Sequence, residues 1–232
     1  MNLPQFITDE IIERALREDI NYVDAATDYL LDDDDVSTAR FVAKASGILC
    51  GIDIAVRVFE MLDKDIQVQI NIKDGGKVEK GDVIAVVTGK TKAILKAERT
   101  SLNILQHMSG IATETAKYAE CCKGTHAHVT ETRKTLPGLR AIEKYAVTVG
   151  GGKNHRYNLS DGAMLKDNHI DAYGSITKAV EALRSRMGHM IKIEVEVRNE
   201  EELREALSCN ADVIMLDNMT CEQMKKCVEI AD

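Results

Sequence analysis

Residues 191–217 read IKIEVEVRNEEELREALSCNADVIMLD. Residues 191–197 are a strand, in which Ile and Val alternate with charged side chains. Residues 199–208 are a helix, with Asn199 as N-cap and Glu202 at the third position after it. Residues 213–216 return as a short apolar strand. Strand, helix and strand in this order imply a parallel sheet with right-handed crossovers.

The same alternation continues on both sides. Thr220 and Gln223 fit a capping box that opens a helix over 220–230. Upstream lie a helix over 175–187, a strand over 163–166 and a helix over 139–149 that follows the Pro137-Gly138 turn. A short strand over 128–132 begins the series. Before it, residues 92–119 are helical, with Leu95, Leu102, Leu105 and Met108 on one side and an expected interruption at Ser109-Gly110.

The first hundred residues mix helix and strand. Ile11, Ile12, Ala15 and Leu16 share one helix face, and 52–62 is an apolar helix. Residues 38–50 hold short apolar strands ending at Gly51. Ile66, Val68, Ile70 and Ile72 alternate with polar residues, as in a half-buried strand, and the turn Asp74-Gly75-Gly76 follows. The acids 32–35 read as a solvated loop. The stretch KDGGKVEKGDVIAVV (73–87) also looks like half of a lipoyl- or biotinyl-carrier barrel. A carrier or binding module therefore stands as an alternative, although carriers need a Lys at an exposed hairpin tip. A turn within a β-subdomain accounts for the same residues.

Composition narrows the classes. The chain has 232 residues, 44% hydrophobic and 29% charged, with no Trp. That describes a soluble globular protein able to bury a core of Ile, Leu, Val, Met and Ala without disulfides or metals. A net charge of −8 argues against nucleic acid and against an anionic membrane as partner. No apolar run reaches the length of a membrane span, and the start lacks the basic and apolar regions of a secretory signal. The six cysteines form no C-x-x-C framework, so reduced thiols in a cytoplasmic protein are expected. His126 and His128 raise zinc as an alternative, but nothing near them in sequence completes a tetrahedral set.

Each of the four C-terminal strands ends in a charged side chain or runs into one. Arg133 and Lys134 follow the first, Lys166 ends the second, Glu196 lies near the end of the third and Asp217 follows the fourth. In α/β barrels the functional groups sit on the carboxyl ends of strands, facing one mouth. For any one of these residues a solvated loop is a competing account. For the set it is weaker, because Lys166 and Asp217 abut apolar runs.

Residues 133–166 carry seven Lys or Arg and two acids, a local charge of +5 in a chain of −8. His155 lies within this island. A cationic island in an acidic protein points to a small polyanion, and Arg suits carboxylate and phosphate. Gly150-Gly151-Gly152 beside it would let backbone N–H groups approach such a ligand; a plain loop is the other reading.

The segment ETRKTLPGLRAIEKYAVTVGGGKNHRYNLSDGAMLKDNHI (131–170) resembles the core of the quinolinate phosphoribosyltransferases. So do ERTSLNILQHMSGIAT (98–113), IKIEVEV (191–197) and ADVIMLDN (211–218). The resemblance implies an N-terminal α/β sandwich, expected over 1–105, and an open α/β barrel, expected over 106–232. It implies conversion of quinolinate and phosphoribosyl pyrophosphate to nicotinate mononucleotide, pyrophosphate and carbon dioxide, with Mg²⁺, in a homodimer or higher oligomer whose subunits complete one another's sites. A paralogous pyrophosphorylase of the same fold with another acceptor is the alternative.

Carried over by position, the resemblance implies that Arg133, His155 and Arg156 hold the two carboxylates of quinolinate, with Arg99 donated by the neighbouring subunit. Lys134 and Lys166 would face the phosphoribosyl and pyrophosphate groups and the substrate carboxylate. Glu196 and Asp217 would bind ribose hydroxyls and Mg²⁺. His107 and His169 are read as structural, with His169 close enough to Lys166 to support it. The family's barrel continues with glycine-rich loops that cradle the 5′-phosphate. Those loops are not found in residues 1–232, so the barrel expected over 106–232 is incomplete; either its C-terminal part is missing from this sequence or the chain is an incomplete enzyme.

Overall fold

The computed structural model describes residues 3–232. The chain divides by packing into two compact units, residues 1–155 and 156–232.

The first unit opens with α1 (Gln5–Asp19), α2 (Ala25–Leu30), β1 (Val36–Val42), β2 (Gly47–Ile48) and α3 (Ile52–Leu62). It continues with β3 (Gln67–Ile70), β4 (Lys77–Val78), β5 (Val83–Lys90), α4 (Thr91–Cys121) and α5 (Arg140–Val149). The strands pair antiparallel in the order β1-β5-β3, with β2 and β4 forming a second small pair. The central strand β5 buries Ala85 and Val87 completely, and its neighbours supply the alternating face read from the sequence. Phe41 on β1 meets Phe59 on α3 edge to face at 5.7 Å. Burying a side chain such as Phe59 contributes about 1.5–3 kcal/mol.

Helix α4 runs through Ser109-Gly110 without the expected interruption. A helical glycine costs about 1 kcal/mol relative to Ala. Packing offsets it: Ala97, Ser101, Leu105, Met108 and Ala112 form a buried stripe. Ser109 Oγ accepts the Cys50 N–H at 3.0 Å, and Thr113 Oγ1, one turn later, accepts the Ile48 N–H at 2.8 Å. The helix thus binds the β2 segment through polar side chains at i and i+4.

Asp74 is more than a turn residue. Its Oδ1 accepts the N–H groups of Gly51 and Ile52 at 2.8 and 2.9 Å, so it caps α3 from outside the helix. Its Oδ2 accepts the Tyr145 hydroxyl at 2.9 Å, which ties α5 to the same point. Burial, with the Asp74 charge beside it, pushes the Tyr145 hydroxyl well above its ordinary range.

The second unit alternates as the sequence implied: β6 (Gly162–Leu165), α6 (Asp167–Tyr173), α7 (Ile176–Arg186), β7 (Lys192–Val197), α8 (Glu200–Ser208), β8 (Val213–Leu216) and α9 (Cys221–Ala231). The strands pair parallel in the order β6-β7-β8. Asn199 caps α8 by accepting the Glu202 N–H, and Thr220 with Gln223 forms the capping box of α9. Two features depart from the sequence reading. Helix α6 was not anticipated. The expected strand over 128–132 is reduced to a single bridge, Thr130 with Lys153, in the first unit.

Candidate active site

The expected functional side chains are held in two groups, one in each unit. In the first, α5 presents Arg140, Glu143 and Lys144 on one face, at i, i+3 and i+4. Each grips the loop that carries Arg133 and Lys134. Arg140 donates from Nε to Thr135 Oγ1 at 3.0 Å and from Nη2 to the Arg133 carbonyl at 3.4 Å. Glu143 accepts the Leu136 N–H at 3.3 Å and meets His107 Nε2 at 2.9 Å. Lys144 is ion-paired with Glu131, with side chains only 3% and 12% exposed. So held, the loop leaves Lys134 exposed and Arg133 half-buried, with Arg133 Nε buried and without a hydrogen-bond partner. A buried donor left unpaired costs about 1–3 kcal/mol, which an acceptor brought by a ligand would recover.

His155 sits on the same framework. Its N–H donates to Glu131 Oε1 at 3.1 Å, and its carbonyl accepts from Lys144 Nζ at 3.1 Å.

The three glycines at 150–152 do not cradle an anion. Their N–H groups donate to the carbonyls of Ala146, Thr148 and Val147 and so close the end of α5. A Cβ on Gly150 would lie 2.5 Å from the Ala112 carbonyl oxygen, and one on Gly152 would lie 2.7 Å from Val147 Cγ1. Close packing of α5 against α4 accounts for them.

In the second unit, strand alternation sorts the charges. Leu165, Ile193, Val195 and Val197 point into the core shared with Ile170, Ile176, Val180, Leu203 and Cys227. The register pairs Met164 with Glu194, and Glu196 with Met215. Since side chains alternate along a strand, Lys166, Glu196 and Asp217 continue the opposite face. There Lys166 Nζ donates to Glu196 Oε1 at 2.7 Å. Asp217 extends the ladder through its N–H to the Val197 carbonyl, and Asn218 Nδ2 donates to its Oδ2 at 2.8 Å. Asn218 takes the left-handed conformation, φ 52°, at the strand exit. Arg156 joins this face: Nη1 donates to the Gly162 carbonyl at 2.8 Å and Nη2 lies 3.4 Å from Met164 Sδ. His169 Nδ1 accepts the Lys166 N–H at 3.0 Å and so positions the residue that carries the amine.

The structure thus brings Lys166, Glu196, Asp217 and Arg156 to one sheet face, and Arg133, Lys134 and His155 to one helix-held framework. Arg99 is exposed on α4 and bonds to none of them among the described residues. Sequence reasoning missed the roles of Glu131, Arg140, Glu143 and Lys144. For Arg140, Glu143 and Lys144 the i, i+3, i+4 spacing beside a cationic loop was the available signal; Glu131 had none.

Glu196 and Asp217, at neighbouring strand ends, are oxygen donors of the kind that could hold a hard divalent cation. Among the described residues no three His, Cys, Asp or Glu side chains gather as a complete set. No described helix is long and apolar enough to cross a membrane.

Comparison with known proteins gives the ancestry. Residues 24–109 match the N-terminal domain, and residues 111–232 the C-terminal domain, of quinolinate phosphoribosyl transferase. The stretch that resembles a carrier lies inside the first match. A Bacillus subtilis protein named "Probable nicotinate-nucleotide pyrophosphorylase (carboxylating)" is 49% identical over 180 residues, covering 78% of this chain and 62% of its own. The nicotinate-nucleotide pyrophosphorylase (carboxylating) of Mycobacterium leprae is 40% identical over 226 residues, covering 96% of this chain and 79% of its own. The crystal structure of NadC from Streptococcus pyogenes superposes with a TM-score of 0.96 at 41% identity, covering all of this chain and 82% of that one. The chain belongs to the quinolinate phosphoribosyl transferase family.

Proposed function

We propose that the protein transfers the phosphoribosyl group of phosphoribosyl pyrophosphate to the ring nitrogen of quinolinate, with decarboxylation, in NAD biosynthesis. The relatives named as carboxylating carry the name of the same reaction read in reverse. The observation that carries the proposal is Arg133, whose buried Nε has no acceptor of its own and stands beside the exposed Lys134. That arrangement suits a carboxylate, which accepts from a guanidinium through two oxygens.

In the forward direction the bond from the sugar carbon to pyrophosphate breaks, and pyrophosphate leaves with the electron pair. The ring nitrogen attacks the cationic carbon. The carboxylate beside that nitrogen then departs as carbon dioxide, and the ring carbon keeps the electron pair and takes a proton from water. Arg133, His155 and Arg156 hold the carboxylates, with Arg99 contributed by a partner subunit. Lys134 and Lys166 hold the phosphoribosyl and pyrophosphate oxygens and the substrate carboxylate. Glu196 and Asp217 hold the ribose hydroxyls and stabilise the positive charge that develops on the sugar. No nucleophilic side chain is needed, and catalysis rests on orientation and electrostatics.

Glu196 and Asp217 would also hold Mg²⁺, which when bound neutralises charge on the pyrophosphate. A homodimer is part of the same proposal: an exposed Arg99 without a partner among the described residues suits donation to a neighbour. Six free thiols suit the reducing cytoplasm. Formation of nicotinate mononucleotide from quinolinate and phosphoribosyl pyrophosphate tests the proposal, and absence of product with both substrates and Mg²⁺ supplied contradicts it.

A further inference from the structure

We infer that the buried Glu131–Lys144 ion pair is a positioning device for His155, and through it for the carboxylate side of the substrate. The second half of this inference rests on the function proposed above. The first half does not.

Two features set the pair apart from an ordinary ion pair. Both charges are almost wholly buried, at 3% and 12% exposure. Burying such a pair involves a desolvation penalty that often exceeds the mutual attraction, so stability alone is a poor reason to keep it. The pair also bonds to both backbone polar groups of one residue. Glu131 Oε1 accepts the His155 N–H at 3.1 Å and Lys144 Nζ donates to the His155 carbonyl at 3.1 Å. Asn154, once its side-chain amide is turned so that the nitrogen faces inward, would donate to Glu131 Oε2 at 3.1 Å and to the Lys144 carbonyl at 3.0 Å. Both polar backbone groups of His155 and the side chain before it are therefore fixed by one pair of opposite charges.

The geometry ties this point to Arg133. Glu131 lies two residues before Arg133, and Lys144 shares its helix face with Arg140, which holds the Arg133 carbonyl. The spacing between the His155 and Arg133 segments is thereby set by α5 and not by either loop alone. Misplacing a binding group by about 1 Å is enough to lose much of its contribution.

The test uses the full-length protein and two variants. The neutral pair Glu131→Gln with Lys144→Met keeps volume and keeps an acceptor for the His155 N–H, but removes both charges and the donor to the His155 carbonyl. Glu131→Asp keeps the charge and shortens the reach, and it serves if the double variant does not fold. Thermal denaturation establishes which variants are folded. The imidazole resonance of His155, assigned by its loss in His155→Ala, is then recorded without substrate. The inference expects it to shift or broaden in the folded variant. It expects the quinolinate dissociation constant to rise about tenfold, with that for phosphoribosyl pyrophosphate changed by less than about twofold. It also expects His155→Ala to add almost nothing in the variant background, because the two changes act on one interaction. An unmoved His155 resonance overturns the positioning role, whatever the substrate. A moved resonance with full additivity, or equal weakening of both substrates, overturns the link to the carboxylate side. If the wild type binds no quinolinate while the resonance still moves, positioning stands and the proposed substrate falls.

Discussion

Lys166 Nζ lies 2.7 Å from Glu196 Oε1, joining the ends of two adjacent parallel strands. Each side chain is therefore the other's partner. In the proposed reaction an incoming pyrophosphate would compete with Glu196 for the amine, and the ribose hydroxyls would compete with Lys166 for the carboxylate. Binding would then redistribute this pair, and both groups would stabilise charge that develops in the transition state.

Glu196→Gln and Asp217→Asn are accordingly expected to lower kcat about a hundredfold while leaving quinolinate affinity within about twofold, since their charge acts on the sugar cation that develops in the transition state and not on quinolinate. Steady-state kinetics with quinolinate titration decide it. A variant whose main change is a higher quinolinate constant would place that carboxylate on the wrong substrate.

Arg133→Ala is expected to weaken quinolinate about tenfold or more, the value of one charge-assisted hydrogen bond, and phosphoribosyl pyrophosphate much less. Calorimetric titration of each ligand separates the two. Equal losses, or none, would remove Arg133 from the carboxylate clamp.

Arg99→Ala on one chain and Lys134→Ala on another, each inactive alone, are expected to complement. In a mixed dimer one shared site carries both lesions and the other neither. Random pairing should then restore about a quarter of wild-type activity. Subunit exchange without recovery would show that Arg99 serves its own subunit or no site.

Asp212 gives a pH prediction for stability. Its carboxylate accepts the Ile193 N–H at 2.7 Å and pairs with Arg184. These hold its pKa below the ordinary value of 3.8, the backbone bond first and the guanidinium second. A folded value below the unfolded one means the contribution is present above the unfolded value and is lost as pH falls through the folded one. Asp212→Asn should lower Tm at pH 7, by roughly 2–4 °C for each 1 kcal/mol lost. The gap to wild type should close in acid, as pH falls below the ordinary carboxylate value of 3.8 and through the lower folded one. A gap that persists in acid would mean that the charge is not what Asp212 supplies.

The parallel half of the fold was legible because strand and helix periods differ and the caps at Asn199 and Thr220 carry local signatures. Helix α6 was hidden because seven residues are too few to display a period. The interruption expected at Gly110 failed because propensity was weighed without the packing of α4, where Ser109 and Thr113 bind the β2 segment. The expected anion cradle at Gly150–Gly152 failed for a similar reason: only the structure shows that those N–H groups close α5. The charged residues at strand ends could be read as candidates from position alone. The residues that hold the Arg133 loop and His155, namely Glu131, Arg140, Glu143 and Lys144, showed at most a shared helix face, because which groups they bond lies in irregular loops that the sequence does not display.

The central claim is decarboxylating phosphoribosyl transfer to quinolinate. Its most direct test is to supply the full-length protein with phosphoribosyl pyrophosphate, Mg²⁺ and quinolinate labelled at the carboxylate beside the ring nitrogen, and to measure labelled carbon dioxide against pyrophosphate. The account predicts equal amounts of both, each dependent on both substrates. Pyrophosphate without carbon dioxide, or turnover only with a different acceptor, would contradict it and favour a pyrophosphorylase of the same fold with another substrate.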